Sequence, residues 1–212
     1  MLIFYSNFLS DTTLCRDKAH NRVFLLIEKN GTSSIRELVR RDPYRYTLHG
    51  LEFFEQSGVT DVTVFIRDPI GRFISGLATQ KEMYQLSESY INQFLTDAKK
   101  LTFLDSHTTP QFWRLLTLGK KFPVKFNLQP LSTLSLIDQN VSRQNVSTWK
   151  PSIDISNEVM QRLNFVYTED IVMYNNFLNK TVMLDEIIER IKLETNFVED
   201  ISRYKDCVNY LY

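Results

Sequence analysis

Two cysteines, three histidines and no excess of either charge limit what this chain of 212 residues can be asked to do. Cys15 and Cys207 stand far apart and in no metal-ligand spacing. At most they make one terminal staple, and two unpaired thiols in a reducing compartment are the simpler reading. Lysine plus arginine equals aspartate plus glutamate at 25 each. No global field therefore steers the chain toward nucleic acid or an acidic membrane surface. No apolar run approaches the length of a membrane span, and no basic segment followed by an apolar core opens the chain. A soluble, cytoplasmic protein is the expectation, with no nucleic-acid partner and no membrane span. Internal repeats, low-complexity tracts and Pro/Gly/Ser-rich linkers are also missing, so residues 1–212 read as a single domain.

What the chain does contain is a strand that empties into an anion-binding loop. Val23-Phe-Leu-Leu-Ile27 is a five-residue apolar run, rich in strand formers and too short for a buried helix. Lys29, Asn30, Gly31, Thr32, Ser33 and Ser34 follow, and Ile35 to Val39 then reads as the first turns of a helix. A helix N-terminus supplies unpaired N–H groups and a positive dipole end, to which hydroxyls and a lysine add donors and charge. Taken alone, the same stretch also reads as a capped helix start with an exposed lysine. A nucleotide-triphosphatase P-loop would need lysine after its last glycine; here Lys29 precedes Gly31.

The second strand, Val62 to Ile66, leads into Arg67-Asp-Pro-Ile-Gly-Arg72 and a helix whose apolar stripe is Phe73, Ile74, Leu77 and Ala78. Arg72, Ser75 and Thr79 fall on its other faces. Arg67 offers a planar fork of donors at the strand end, and Ser75 lies two turns into the helix, so both can converge on one anion. The bland alternative is a local Arg67–Asp68 pair capping the turn. Between the loops, Tyr44 to Gly50 reads as a polar-aromatic connection and Leu51 to Gln56 as a short helix. Further helices are expected over Glu88–Leu101, Pro110–Leu118, Asn157–Leu163, Thr168–Leu178 and Met183–Glu194, and a third strand over Phe122–Leu128. Asp138 to Ile155 reads as a long loop, of the kind more often functional than idle. Strands alternating with helices predict an α/β fold with a mainly parallel sheet and ligands beyond the carboxyl ends of its strands.

Lys29-Asn-Gly-Thr-Ser-Ser34 resembles the 5′-phosphosulfate loop of sulfotransferases that use 3′-phosphoadenosine 5′-phosphosulfate (PAPS). Arg67-Asp-Pro-Ile-Gly-Arg-Phe-Ile-Ser75 resembles their 3′-phosphate element, with Arg and Ser at the family's separation. Leu-His49-Gly is similar to the place where heparan and other carbohydrate sulfotransferases carry a histidine. His107-Thr-Thr-Pro-Gln111 and Tyr167-Thr-Glu-Asp-Ile-Val-Met-Tyr174 are similar to later segments of that group. The likeness spans about Val23 to Tyr174; Glu28 departs from it, standing where proline is frequent.

The resemblance implies a P-loop-like three-layer α/β/α domain that moves the sulfuryl group of PAPS to an acceptor hydroxyl, by the likeness to the carbohydrate group one on a carbohydrate, with no metal required. By the same resemblance Lys29 stabilises the leaving phosphate, and Asn30, Gly31, Thr32, Ser33 and Ser34 surround the 5′-phosphate. Arg67 and Ser75 hold the 3′-phosphate, while Trp149 and Lys150, in the long loop, cover base and phosphate. His49 is the first choice of base and His107 the second, with Glu52 and Glu55 in reserve; His20, before the first strand, has no assigned role. The short chain, without the anchor of animal Golgi relatives, suggests a microbial or viral enzyme, with a trimmed lumenal domain as the lesser option. Two rival readings remain: a small P-loop-like nucleotide kinase, and a non-catalytic nucleotide- or glycan-binding module.

Overall fold

The computed structural model describes residues 13–97, 107–138, 151 and 154–195. Six strands form one open sheet in the order β3-β1-β2-β4-β5-β6. They are β1 (Thr13–Asp17), β2 (Arg22–Leu26), β3 (Tyr46–His49), β4 (Asp61–Ile66), β5 (Lys125–Pro130) and β6 (Lys180–Met183). The helices are α1 (Thr32–Arg41), α2 (Glu52–Ser57), α3 (Pro69–Met83), α4 (Glu88–Thr96), α5 (Phe112–Lys121), α6 (Asn157–Val166), α7 (Thr168–Phe177) and α8 (Leu184–Glu194). A 3₁₀ segment, Leu131–Leu136, follows β5.

The apolar run of β2 is continuous because both of its faces are covered. Val23, Leu25 and Ile27 point into one core, shared with Val62, Val64 and Ile66 of β4 and with helices α2 to α8. Phe24 and Leu26 point into a second core with Phe65, with Ile35 and Leu38 of α1, and with Leu134 and Ile137 after β5. The sheet is thus sandwiched between a thick helical layer and a thin one made by α1 and the 3₁₀ segment.

The sheet is mixed rather than mainly parallel. β2–β4 and β4–β5 pair in parallel. β1–β2, β1–β3 and β5–β6 pair antiparallel. Three of the six strands, β1, β3 and β6, fall outside the expected ones. Thr13–Asp17 holds only Leu14 and Cys15 as buried apolar residues, and Lys180–Met183 only Val182, too few for periodicity to register. Tyr46–His49, expected as a connection, is an edge strand because β1 offers it a partner: Cys15 faces Leu48 and Leu14 faces His49. β5 starts three residues later than expected, after Phe122-Pro123, and α5 runs on to Lys121.

A buried carboxylate ties this edge together. Asp17, fully buried, accepts from Arg22 Nη2 at 2.8 Å and from Arg45 Nε at 3.1 Å and Nη2 at 3.3 Å. His20 Nδ1 lies 2.8 Å from it and the Ala19 N–H donates at 3.1 Å. Burial alone would raise the Asp17 carboxyl, but the Arg45, Arg22 and His20 hydrogen bonds outweigh it and hold the group well below the usual carboxylate range. His20 is therefore a structural member of the β1–β2 turn. Cys15 is buried and free, its thiol pushed up to about 12 by burial and by Asp17. Cys207 lies outside the described residues. Among the described residues no helix is long and apolar enough to cross a membrane.

Asp17→Ala is expected to cost toward the low end of roughly 3–5 kcal/mol, since its arginine partners are partly solvated. A depressed folded-state pKa makes this contribution complete above about pH 4 and lost as pH falls further. Urea unfolding at pH 7 and pH 3 checks it: the wild type's advantage over Asp17→Ala shrinks at pH 3 but does not vanish, because the folded carboxyl is still ionised there.

Candidate functional site

The parallel pairing of β2 and β4 sets their exits side by side at one edge of the sheet, since Leu25 is level with Val64. At the β2 exit the chain turns through Lys29, at φ 68°, and Gly31, at φ 84°. Both lie in the left-handed region, unusual for a lysine and easy for glycine. A Cβ on Gly31 would also come within 2.8 Å of Leu134 Cδ2. Gly31 is thus required by conformation and by the close approach of the 3₁₀ segment.

The helix that follows, α1, has no side-chain cap and no acidic residue in its first turn. Its first intrahelical backbone bond runs from Ile35 N–H to Gly31 C=O, so the N–H groups of Thr32, Ser33 and Ser34 lie in the uncapped first turn. Side chains of the loop divide between two tasks. Thr32 Oγ1 donates inward to Ile27 C=O at 2.8 Å, and Ser33 is exposed. Ser34 is buried. Lys29 Nζ donates to Thr79 Oγ1 on α3. Asn30 is buried, and its Nδ2 donates to Phe65 C=O at 2.8 Å and to Gln111 Oε1 at 2.5 Å. The Asn30 side chain therefore faces the interior and braces the loop.

At the β4 exit, Asp68 Oδ2 accepts from Gly71 N–H at 2.5 Å and caps α3, with Pro69 in its first turn. Asp68 is thus the cap of this turn. The Arg67 backbone is held on both sides by Gln111: its N–H donates to Gln111 Oε1 at 3.1 Å, and its C=O accepts from Nε2 at 3.0 Å.

One stripe of α3 carries the contacts to the other segments. Residues 72, 75, 76, 79 and 80 follow helical spacing along one face. Arg72 is 1% exposed, sealed from solvent. Its Nε donates to Glu28 C=O at 3.1 Å and its Nη1 to Thr109 C=O at 2.5 Å, stitching the first loop to the 107–111 segment. Gly76 lies against His107, and a Cβ there would sit 2.6 Å from the His107 carbonyl oxygen. Thr79 meets Lys29, and Gln80 Nε2 donates to Thr108 Oγ1 at 3.2 Å. Ser75 stands beside these, partly exposed.

The fourth segment closes the assembly from below. Asp170, fully buried in the first turn of α7, accepts from the Gln111 and Phe112 N–H groups at 2.7 Å each and from Gln111 Nε2 at 3.2 Å. Burial pushes its carboxyl up, against these donors and the Arg72 guanidinium, which favour the ionised form. Tyr167 Oη donates to Thr108 C=O, and burial keeps its phenol protonated for that purpose.

His49 stands apart from this knot. It ends β3 opposite Leu14, which faces Leu25, so it lies two strand spacings, about 10 Å, from β2. Register puts its side chain on the α3 face of the sheet, at the edge where β2 and β4 exit. The ring packs on Phe53 at 4.5 Å between centroids, and Nε2 shares a 2.8 Å hydrogen bond with Thr47 Oγ1. Burial, with Arg16 and Lys18, lowers its pKa from 6.5 against the pull of Glu52. Glu52 Oε1 accepts from Gly50 N–H at 3.0 Å. Glu55 is drawn 3.3 Å from Lys121, toward the opposite end of the sheet, and is not placed beside the loops. Trp149 and Lys150 lie outside the described residues.

Thr79, Gln111, Arg72 and Asp170 are the participants that sequence reasoning did not assign to the site. A signal for two of them was present, since Gln111 ends His107–Gln111 and Asp170 lies within Tyr167–Tyr174, the two later segments singled out in the sequence. Comparison of the chain with protein-family models, with curated proteins and with solved structures finds no match.

Gly76→Ala should destabilise by roughly 1–3 kcal/mol, because a rigid backbone carbonyl rather than a movable side chain meets the new methyl. Urea denaturation measures this; a variant as stable as wild type would mean that the 107–108 segment does not rest on α3.

Proposed function

We propose that this chain is a PAPS-dependent sulfotransferase with a P-loop-like core, acting on a hydroxyl of a carbohydrate. One observation carries the reading. Four segments that resemble sulfotransferase elements, separated by up to 140 residues, meet in one hydrogen-bonded unit through Asn30, Gln111, Arg67 and Asp170. Their chemistry suits a ligand with two anionic groups. The uncapped α1 N-terminus, free of acidic residues, and Lys29 suit a 5′-phosphosulfate. Arg67, just before α3, and Ser75, two turns along that helix, suit a 3′-phosphate.

In the proposed reaction the acceptor oxygen attacks sulfur, and the bond from sulfur to the bridging phosphate oxygen breaks. The electron pair stays on the departing phosphate, and the acceptor proton passes to a base. Lys29 gives that phosphate a positive charge and a donor where negative charge grows. The uncapped N–H groups of α1 supply fixed dipoles that need no reorganisation. His49 takes the proton, since burial, with Arg16 and Lys18, lowers its pKa and so favours the neutral imidazole that a base requires. His107, whose backbone rests against Gly76 of α3 one turn from Thr79, is assigned the role of orienting the acceptor.

Calorimetry with PAP, the desulfated product, against ATP plus magnesium tests the ligand. PAP is expected to bind in preference, and preference for ATP would instead support a kinase. Arg67→Ala should weaken PAP by roughly 10- to 100-fold, the equivalent of about 1.5–3 kcal/mol for a charge-assisted contact. Transfer of labelled sulfate from PAPS to a glycan panel, absent in Lys29→Ala, separates an enzyme from a binding module.

For the base, the sign follows from the direction of the shift: burial, with Arg16 and Lys18, lowers the His49 pKa, so the acid limb of kcat is displaced to lower pH than an ordinary imidazole would give. His49→Ala should lose this limb and most turnover while keeping PAP affinity. A His107→Ala chain that loses turnover while His49→Ala keeps it would reverse the two roles.

A further inference from the structure

Gln111 is fully buried, and every hydrogen-bonding group of its side chain is used across segment boundaries. Its Oε1 accepts from Asn30 of the first loop and from the Arg67 N–H of the second. Its Nε2 donates back to the Arg67 carbonyl and to Asp170. The amide thus pairs with Arg67 as a neighbouring strand would, with an N–H and a C=O engaged together. The Asp170 carboxylate fixes it from behind, holding both its own backbone N–H and that of Phe112. A rotation or shift of this one amide would move both loops.

Two anions on one nucleoside make a bivalent ligand, whose gain over a single anion depends on how well the two subsites match its spacing. We infer that Gln111 is a positioning residue that sets the distance between the two anion subsites, and so selects a nucleoside 3′,5′-bisphosphate over isomers carrying the same charge. This inference rests on the functional reading above. Gln111 touches no ligand in this role; it acts through Arg67 and through Asn30. Asn30 reports on the link separately, because its Oδ1 is buried without a hydrogen-bond partner while its Nδ2 carries the contact to Gln111. Its side chain thus has no second attachment through Oδ1, and its placement follows Gln111 and the Phe65 carbonyl.

The test compares adenosine 3′,5′-bisphosphate with adenosine 2′,5′-bisphosphate by calorimetry on the full chain, in wild type, Gln111→Met and Asn30→Ala. Wild type is expected to prefer the 3′,5′ isomer by on the order of tenfold or more, since misplacement by about 1 Å is costly in a preorganised site. Both variants should bring the two isomers to within about threefold of each other, by weakening the 3′,5′ isomer selectively. A merely structural role would weaken both isomers alike and leave their ratio intact, and that result overturns the inference. If Gln111→Met does not fold, Asn30→Ala decides, because it removes the link while leaving the Gln111–Arg67 pairing in place. A wild type that binds neither isomer overturns the functional reading itself. A wild type that binds both equally overturns the inference alone.

Discussion

The buried guanidinium of Arg72 is the constraint around which the loop end of this molecule is organised. A charge taken out of water must be met by oriented acceptors, and here two of them are main-chain carbonyls from different segments, at Glu28 and Thr109. Satisfying Arg72 therefore fixes the backbone of the first loop against the 107–111 segment. Asp170 does the complementary work, as a buried carboxyl whose donors are the N–H groups opening α5. Helix α3, which carries Arg72, also presents Gly76, Thr79 and Gln80 on the same stripe. Its polar face is thereby buried in addition to its apolar stripe of Phe73, Leu77 and Ala78, where a helix packed on a sheet ordinarily leaves the polar face to water. Loops that would otherwise run over the surface are thus anchored as firmly as core elements.

The parallel centre of the sheet was legible in the sequence because its strands are apolar on both faces. Val23 to Ile27 stands out as an unbroken run and Val62 to Ile66 as one interrupted only by Thr63, and their exits fall where expected. The flanking strands were not legible, for a physical reason. Thr13–Asp17, Tyr46–His49 and Lys180–Met183 are held by pairing and, at one edge, by the Asp17 ion cluster. A polar residue that makes a strand end stable looks in a sequence like a residue that ends a strand. The assembly of Asp17 with Arg22 and Arg45 spans up to 28 positions and has no local signature.

Within the candidate site the split is similar. Lys29, Gly31, Arg67 and Ser75 were visible because each follows a strand end in a pattern with chemical meaning. Arg72 could be placed only off the apolar stripe and is a buried brace, because helical spacing cannot say which segment will cover a polar face. Asn30 was grouped with the ligand-facing loop, whereas its amide turns inward to Phe65 and Gln111. In both cases the deciding partner, Thr109 or Gln111, comes from a segment that sequence order keeps far away.

The position of β3 gives the two ends of the proposed chemistry different mechanical characters. Lys29 and Arg67 issue from the innermost strands, each flanked on both sides, whereas His49 closes the outermost strand, paired along one side only. Edge strands exchange their amide hydrogens through local opening far more readily than central ones. A proton acceptor mounted there can follow acceptors of different shape while the donor half of the site stays still. Divergence in acceptor choice would then accumulate along β3 and α2, leaving the β2–β4 seam unchanged.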